Sequence, residues 1–141
     1  MKITKRFTFE TAHALSGYDG PCAHIHGHSY ILDVTIDGEP SDRAGDPKQG
    51  MVMDFGDLKQ LVQQHVIEAY DHALVLHEKE RAAIPIGNAL FARTWFVPWQ
   101  PTCENMLQDI VRRIQPHLPE HVRLAYARLQ ETATSWAEWE V

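Results

Sequence analysis

The chain has 141 residues, a length that suits one domain with a core of its own, and we treat residues 1–141 as a single domain. Hydrophobic residues make up 44% of the chain and charged residues 23%, and no apolar run approaches the ~18 residues of a membrane span. This composition predicts a water-soluble protein. The net charge of -6 argues against a general nucleic-acid binder, because attraction to backbone phosphates needs a basic surface.

The N-terminus and the cysteines predict a cytoplasmic location. The first residues lack the apolar stretch of a secretory signal. Only two cysteines are present, Cys22 and Cys103, which is too few for a disulfide framework. We therefore expect free thiols.

Two strands are predicted in the first third of the chain. Ile3, Phe7 and Phe9 alternate with polar residues, which is the period of a half-buried strand, and His13 has the same parity. A turn rich in glycine and proline follows at 17–21. The alternation then resumes, with one face of the second strand carrying His26, His28, Tyr30, Leu32, Val34 and Ile36.

Two helices and two further strands are predicted after a polar loop. Asp54 and Thr102 are side chains that cap helices, and each precedes apolar residues at helical spacing. Strands are predicted at 122–131 and 134–141, whereas 74–100 offers only a short strand or buried arm at 90–97. The order is two strands, two helices and two strands. This order predicts an α+β fold with the helices on one face of an antiparallel sheet.

A group of histidines is the sharpest feature of the sequence. Residues two apart on a strand point to the same face, about 6 to 7 Å apart, so His26 and His28 can meet at one metal ion. His13 can join them if the first two strands pair as a hairpin. Three imidazoles leave the fourth position of a tetrahedral zinc site open, as in catalytic sites. The alternative is that these histidines, among nine in the chain, pack in the core or lie in loops.

Several motifs resemble those of the 6-pyruvoyl- and 6-carboxy-tetrahydropterin synthase family. They are Phe9-Glu-Thr-Ala-His13, Cys22-x-x-x-His26-Gly-His28, Met53-Asp-Phe-x-x-Leu58-Lys, Tyr70-Asp-His72, Pro101-Thr-Cys-Glu-Asn105 and Glu131-Thr132. The resemblance extends over nearly the whole chain. It implies the tunnelling fold (T-fold), an antiparallel four-stranded sheet with two helices on one face. It also implies a homo-oligomer whose active sites lie between subunits.

The resemblance implies roles for individual residues. Zn²⁺ would be held by His13, His26 and His28, and Cys22 would take a proton from the pterin side chain. Asp71 would orient His72, which exchanges protons with Cys22. The alternative for Cys22 is a buried, inert thiol. The alternative for Asp71 and His72 is a pair without a functional role at the end of a helix.

Glu131 resembles the carboxylate that anchors the pterin ring and takes part in the proton relay. One carboxylate can accept both hydrogens of the two-donor edge formed by the 2-amino group and N3 of a pterin. Thr102 and Glu104 are candidates for the same pocket, although a helix cap and a first-turn acid explain both. The alternative for Glu131 is a plain surface glutamate.

The substrate implied by the resemblance is 7,8-dihydroneopterin triphosphate, a reduced pterin. The compact Cys-x-x-x-His-Gly-His spacing favours the branch that forms 6-carboxy-5,6,7,8-tetrahydropterin, acetaldehyde and triphosphate, on the route to queuosine and other deazapurines. The pyruvoyl-forming synthase is the nearest alternative. A zinc hydrolase using Glu131 as base, and a non-catalytic protein that binds zinc or pterin, remain open. The segment 77–100 is longer than in compact members, and its role is open as well.

Overall fold

One six-stranded sheet organises the computed structural model, which describes residues 1–141. The strands follow the order β4-β3-β1-β2-β5-β6 across the sheet. Their bounds are β1 Lys2–His13, β2 His26–Gly38, β3 Ala73–His77, β4 Thr94–Val97, β5 Val122–Thr132 and β6 Ser135–Glu140. The strands β1, β2, β5 and β6 are paired antiparallel, which confirms the predicted four-stranded arrangement.

Two short strands extend this sheet beyond the predicted four. Residues 73–75 of β3 pair in parallel with 11–13 of β1, and β4 pairs in parallel with β3. Parallel strands are buried on both faces and show no alternation, so a short apolar run such as that at 73–76 carries no period to recognise. Only the last three residues of β1 pair with β3 and Glu10 bonds residues 71 and 72, which leaves residues 2–9 of β1 without a strand partner on that side.

The two predicted helices are present and begin where their caps were predicted. Asp54 accepts a hydrogen bond from the Gly56 N–H at 2.6 Å and begins α1. The Thr102 hydroxyl accepts from the Asn105 N–H at 3.3 Å and begins α3. The helices are α1 Phe55–Val62, which continues through the π-helical residues Gln63–Ile67 into α2 Glu68–Tyr70, and α3 Cys103–Ile114. None of the helices combines the length and the apolar character of a membrane span.

The core lies between the helices and one face of the sheet. Alternation on β1 and β2 sends Phe9, Tyr30 and Leu32 to this face, where the Phe9 and Tyr30 rings stack with centroids 5.4 Å apart. The same alternation continues along β1 to His13. One face of the sheet therefore carries both the hydrophobic core and the predicted metal ligands.

Candidate metal centre and its cavity

The three predicted histidines meet at one end of the β1–β2 hairpin. The register places His13 opposite His26 and Thr11 opposite His28. The Nε2 atoms of His13 and His26 are 3.1 Å apart, and one ring nitrogen from each of the three histidines lies within 4.8 Å of the others. This spacing allows one metal ion to contact all three side chains.

The neighbouring backbone selects the tautomers of two of these rings. Nδ1 of His13 bonds the Pro101 carbonyl and Nδ1 of His26 bonds the His24 carbonyl, both at 2.7 Å. A carbonyl oxygen can only accept, so each Nδ1 must carry the hydrogen and each neutral ring has its lone pair on Nε2. Burial lowers the pKa of His13 below its usual value, which favours this neutral form.

The ring nitrogens fit a metal ion better than they fit one another. Two neutral Nε2 lone pairs, on His13 and His26, face each other at 3.1 Å. Nε2 of His28 is buried and has no hydrogen-bond partner. A buried polar atom without a partner costs free energy, and one bound cation would satisfy all three nitrogens. The set can thus hold a metal of the kind that accepts imidazole ligands.

Glu131, near the end of β5, stands beside these histidines. Its Oε1 accepts a hydrogen bond from the Tyr30 hydroxyl at 2.9 Å and lies 3.7 Å from Nε2 of His13 and 3.9 Å from Nε2 of His28. Tyr30 is fully buried. Burial and the Glu131 carboxylate raise the pKa of Tyr30, so its hydroxyl remains a donor.

A cavity of about 280 Å³ adjoins His13 of this set. It is lined by most of the residues singled out from the sequence, among them His13, Cys22, Thr102, Cys103, Glu104 and Glu131. Cys22 lies in the short helical turn Pro21–Ala23 of the loop between β1 and β2. The fold therefore gathers the Cys22 thiol, the Glu131 carboxylate and His13 of the histidine set around one space.

Asp71 and His72 lie elsewhere. Asp71 Oδ1 accepts from the Glu10 N–H at 2.9 Å and lies 3.1 Å from His72 Nδ1. The hydrogen bond from Glu10, and then the contact with His72, lower the pKa of Asp71. His72 has a left-handed backbone, with φ of 59°, and its side chain is 75% exposed.

The cavity beside His72 is a different one from that of Cys22. It has a volume of about 530 Å³ and is lined by Glu10, Ala12 and Ser29 of the opposite strand face, but also by His28 of the histidine set. No hydrogen bond or ion pair joins His72 to Cys22. Within one chain, the predicted relay pair and the predicted base are thus separate.

Sequence reasoning missed four residues that shape the site, namely Ser16, Tyr30, Glu80 and Gln100. Gln100 accepts from the Ser16 N–H at 2.9 Å and donates to the Ser16 carbonyl at 2.7 Å, which fastens the loop that carries Cys22. Ser16 also bonds Glu80, so the long segment 77–100 contacts this loop. No local pattern links residues 84 positions apart. Tyr30, in contrast, lies on the same strand face as His26 and His28, so the alternation alone could have predicted its place beside them.

Comparison with known sequences identifies related proteins. The family model described as 6-pyruvoyl tetrahydropterin synthase matches residues 2–141. A 6-carboxy-5,6,7,8-tetrahydropterin synthase of Haemophilus influenzae is 35% identical over 142 residues, covering 99% of this chain and 98% of the relative. The protein of the same description from Rickettsia bellii is 31% identical, with coverage of 98% and 99%.

Solved structures share the fold at lower identity. The 6-pyruvoyl tetrahydropterin synthase of Caenorhabditis elegans superposes with a TM-score of 0.70 and 21% identity, covering 100% of this chain and 95% of the other. An uncharacterised protein of Wolinella succinogenes superposes with a TM-score of 0.79 and 19% identity, covering 99% and 97%. These likenesses confirm the predicted T-fold.

Proposed function

Because the chain belongs to the 6-pyruvoyl tetrahydropterin synthase family, we propose that it is a zinc-dependent 6-carboxy-tetrahydropterin synthase. It converts 7,8-dihydroneopterin triphosphate to 6-carboxy-5,6,7,8-tetrahydropterin, acetaldehyde and triphosphate, on the route to queuosine and other deazapurines. The observation that carries the proposal is the single cavity that joins His13, Cys22 and Glu131. The relatives with that description, matched over almost their whole length, favour the carboxy-forming reaction.

His13, His26 and His28 hold the zinc in this proposal. The open set of three imidazoles, with the Nδ1 atoms of His13 and His26 fixed by carbonyls, is typical of catalytic zinc. When bound, zinc supplies a Lewis acid that polarises the side-chain oxygens of the substrate. The unpartnered Nε2 of His28 supports this assignment.

Cys22 is the base and Glu131 the anchor. Cys22 lines the cavity and is a free thiol, so its sulfur can take a proton from a pterin side chain held there. A cytoplasmic location suits this role because thiols stay reduced there. Glu131 accepts hydrogen bonds from the 2-amino group and N3 at the edge of the pterin ring. Thr102 and Glu104 line the same cavity and are further substrate contacts.

Asp71 and His72 serve the site of another subunit. In one chain they lie apart from Cys22, and His72 is exposed. Residues 2–9 of β1 and the strand β6 both form open sheet edges, which self-association would pair. A homo-oligomer built on such edges brings the His72 of one copy toward the Cys22 of the next.

Incubation of the purified protein with 7,8-dihydroneopterin triphosphate tests the reaction. We expect acetaldehyde and 6-carboxy-5,6,7,8-tetrahydropterin in equal amounts by mass spectrometry, and zinc in the protein by elemental analysis. A pyruvoyl product without acetaldehyde would assign the other branch of the family. Stoichiometric zinc without turnover would indicate a binding protein.

Mixing two inactive variants tests the shared site. Cys22→Ala and His72→Ala should each be inactive alone but regain activity when co-expressed in one oligomer. About a quarter of the sites then combine an intact Cys22 from one subunit with an intact His72 from another. Co-expression without any recovery would show that both residues act within one chain.

A further inference from the structure

Glu131 is close enough to the histidines to compete for the open metal position. Its Oε1 lies 3.7 Å from Nε2 of His13 and 3.9 Å from Nε2 of His28, whereas the nitrogens of the histidine set lie within 4.8 Å of one another. A carboxylate oxygen is an ordinary zinc ligand. A carboxylate bound in that way would close the site and would no longer be free to meet a substrate.

The Tyr30 hydroxyl is the one hydrogen-bond donor recorded on the Glu131 carboxylate. It reaches Oε1 at 2.9 Å. Its ring is fully buried and packs against Phe9 at 5.4 Å and against His28 at 5.5 Å, so the direction of the hydroxyl is set by the core. A hydrogen bond to a charged acceptor is among the stronger ones in proteins, especially in a buried setting.

Resting on the proposed function, we propose that Tyr30 is a positioning residue that holds Glu131 off the metal. The hydrogen bond engages Oε1 on the side of the carboxylate that faces His13 and His28. This arrangement keeps one coordination position open and leaves Glu131 available to the substrate. Without the hydroxyl, nothing in the structure keeps Oε1 from joining the histidines.

Tyr30→Phe removes this hydroxyl and keeps the ring. The chain offers a matched control in Tyr70, which is also fully buried, packs against Phe9 with centroids 5.6 Å apart, and donates to Asp109 at 2.8 Å. Tyr70→Phe therefore removes a comparable hydrogen bond away from the cavity. Thermal unfolding of both variants measures the stability that each hydroxyl contributes.

The decisive measurement is metal release to an excess of chelator. We expect Tyr30→Phe to release zinc about tenfold more slowly than the wild type, since Glu131 becomes a fourth ligand, with KM raised and kcat lowered. The visible spectrum of the cobalt-substituted protein should change as well. Tyr70→Phe should match the wild type in all of these. Faster release from Tyr30→Phe would indicate a purely structural role and would overturn the proposal.

Glu131→Gln tests the same point without touching Tyr30. We expect the Glu131→Gln variant to release its metal at the wild-type rate. In the double variant Tyr30→Phe/Glu131→Gln, the Tyr30 substitution should no longer slow the release. Faster release from Glu131→Gln alone would show that Glu131 is already a ligand. Wild-type protein that holds no metal or turns over no pterin contradicts the proposed function. A working wild type with Tyr30→Phe equal to Tyr70→Phe contradicts only the assignment of Tyr30.

Discussion

The two ends of the β1–β2 hairpin use the same pattern for opposite purposes. Toward one end, from Phe7 opposite Leu32 in the middle of the hairpin to Ile3 opposite Ile36, the side chains pack in the hydrophobic core beneath the helices. At the other end His13 lies opposite His26, beside a cavity. The alternation that points these side chains to one face is identical. What covers the face decides whether it becomes core or site.

The two ends also differ in how their groups are satisfied. Burial of Leu32 removes apolar surface from water and stabilises the fold. Burial of His28 leaves Nε2 without a partner and costs stability until a ligand arrives. The core end therefore stabilises the fold, whereas the cavity end keeps a polar group unpaired until a ligand binds it. Substitutions at the two ends should separate these effects.

The largest effect is expected at the cavity end, from Cys22→Ala. Loss of the proposed general base should lower kcat by about 10² to 10⁴-fold. Zinc content and the thermal midpoint should remain at wild-type values, because the thiol belongs neither to the metal set nor to the core. Steady-state kinetics with metal analysis provides the check. A variant with nearly full activity would favour the hydrolase interpretation, in which water is the nucleophile.

Leu32→Ala should give the reverse result at the core end. Deleting a side chain that is 0% exposed should lower the free energy of unfolding by about 2 to 5 kcal/mol. The folded fraction should keep its zinc and its kcat. Ile31→Ala, on the opposite face of the same strand, is the matched control and should cost about 1 kcal/mol. Chemical denaturation measures both, and equal losses would contradict the assignment of faces.

Thr102→Ala should produce a smaller loss of stability, at a residue that both caps a helix of the core and lines the cavity. The hydroxyl caps α3, and its removal should cost about 1 kcal/mol, which Thr102→Ser should largely restore. Thr102 also lines the cavity. An increase in KM for Thr102→Ala that Thr102→Ser repairs would add a substrate contact to the cap. A loss of stability with an unchanged KM would show that capping α3 is the only role of Thr102.

The smallest effect is expected from the pH dependence of Cys103. Burial, then the nearby Glu131 carboxylate, raises the pKa of Cys103 to about 12. A raised pKa keeps the thiol protonated, so iodoacetamide should leave Cys103 of the folded protein unmodified at pH 9 and modify it only as the pH nears 12. Unfolded protein should react at pH 9. Peptide mapping by mass spectrometry gives the measurement, and rapid labelling of folded Cys103 at pH 9 would contradict it.

Several features were predictable because their signals are local. The caps at Asp54 and Thr102 depend on residues two or three positions away. His26 and His28 share a face through strand geometry alone, and a hairpin brings in His13. Family resemblance then added Cys22, which lines the cavity and whose role as base stays a prediction.

The features that were missed depend on contacts between distant parts of the chain. The strand β3 exists because residues 73–75 add in parallel to the end of β1, and no periodic pattern in the sequence predicts such a strand. The strand β4 falls within the short strand or buried arm predicted at 90–97, but its pairing with β3 was not predicted. The contact of β3 with β1 anchors Asp71 and His72 on the far side of the sheet through Glu10. A dipeptide motif cannot reveal which cavity its side chains will face.

By itself, the sequence determined the residue types of the site and the face of each strand on which they lie, because the two-residue period of a strand is a local property. Only the tertiary structure decided that Tyr30 meets Glu131, that Gln100 fastens the Cys22 loop, and that His72 lines a different cavity from Cys22. Each of these depends on the packing of segments far apart in the chain, where the free energy of the whole fold, and not local preference, selects the neighbours.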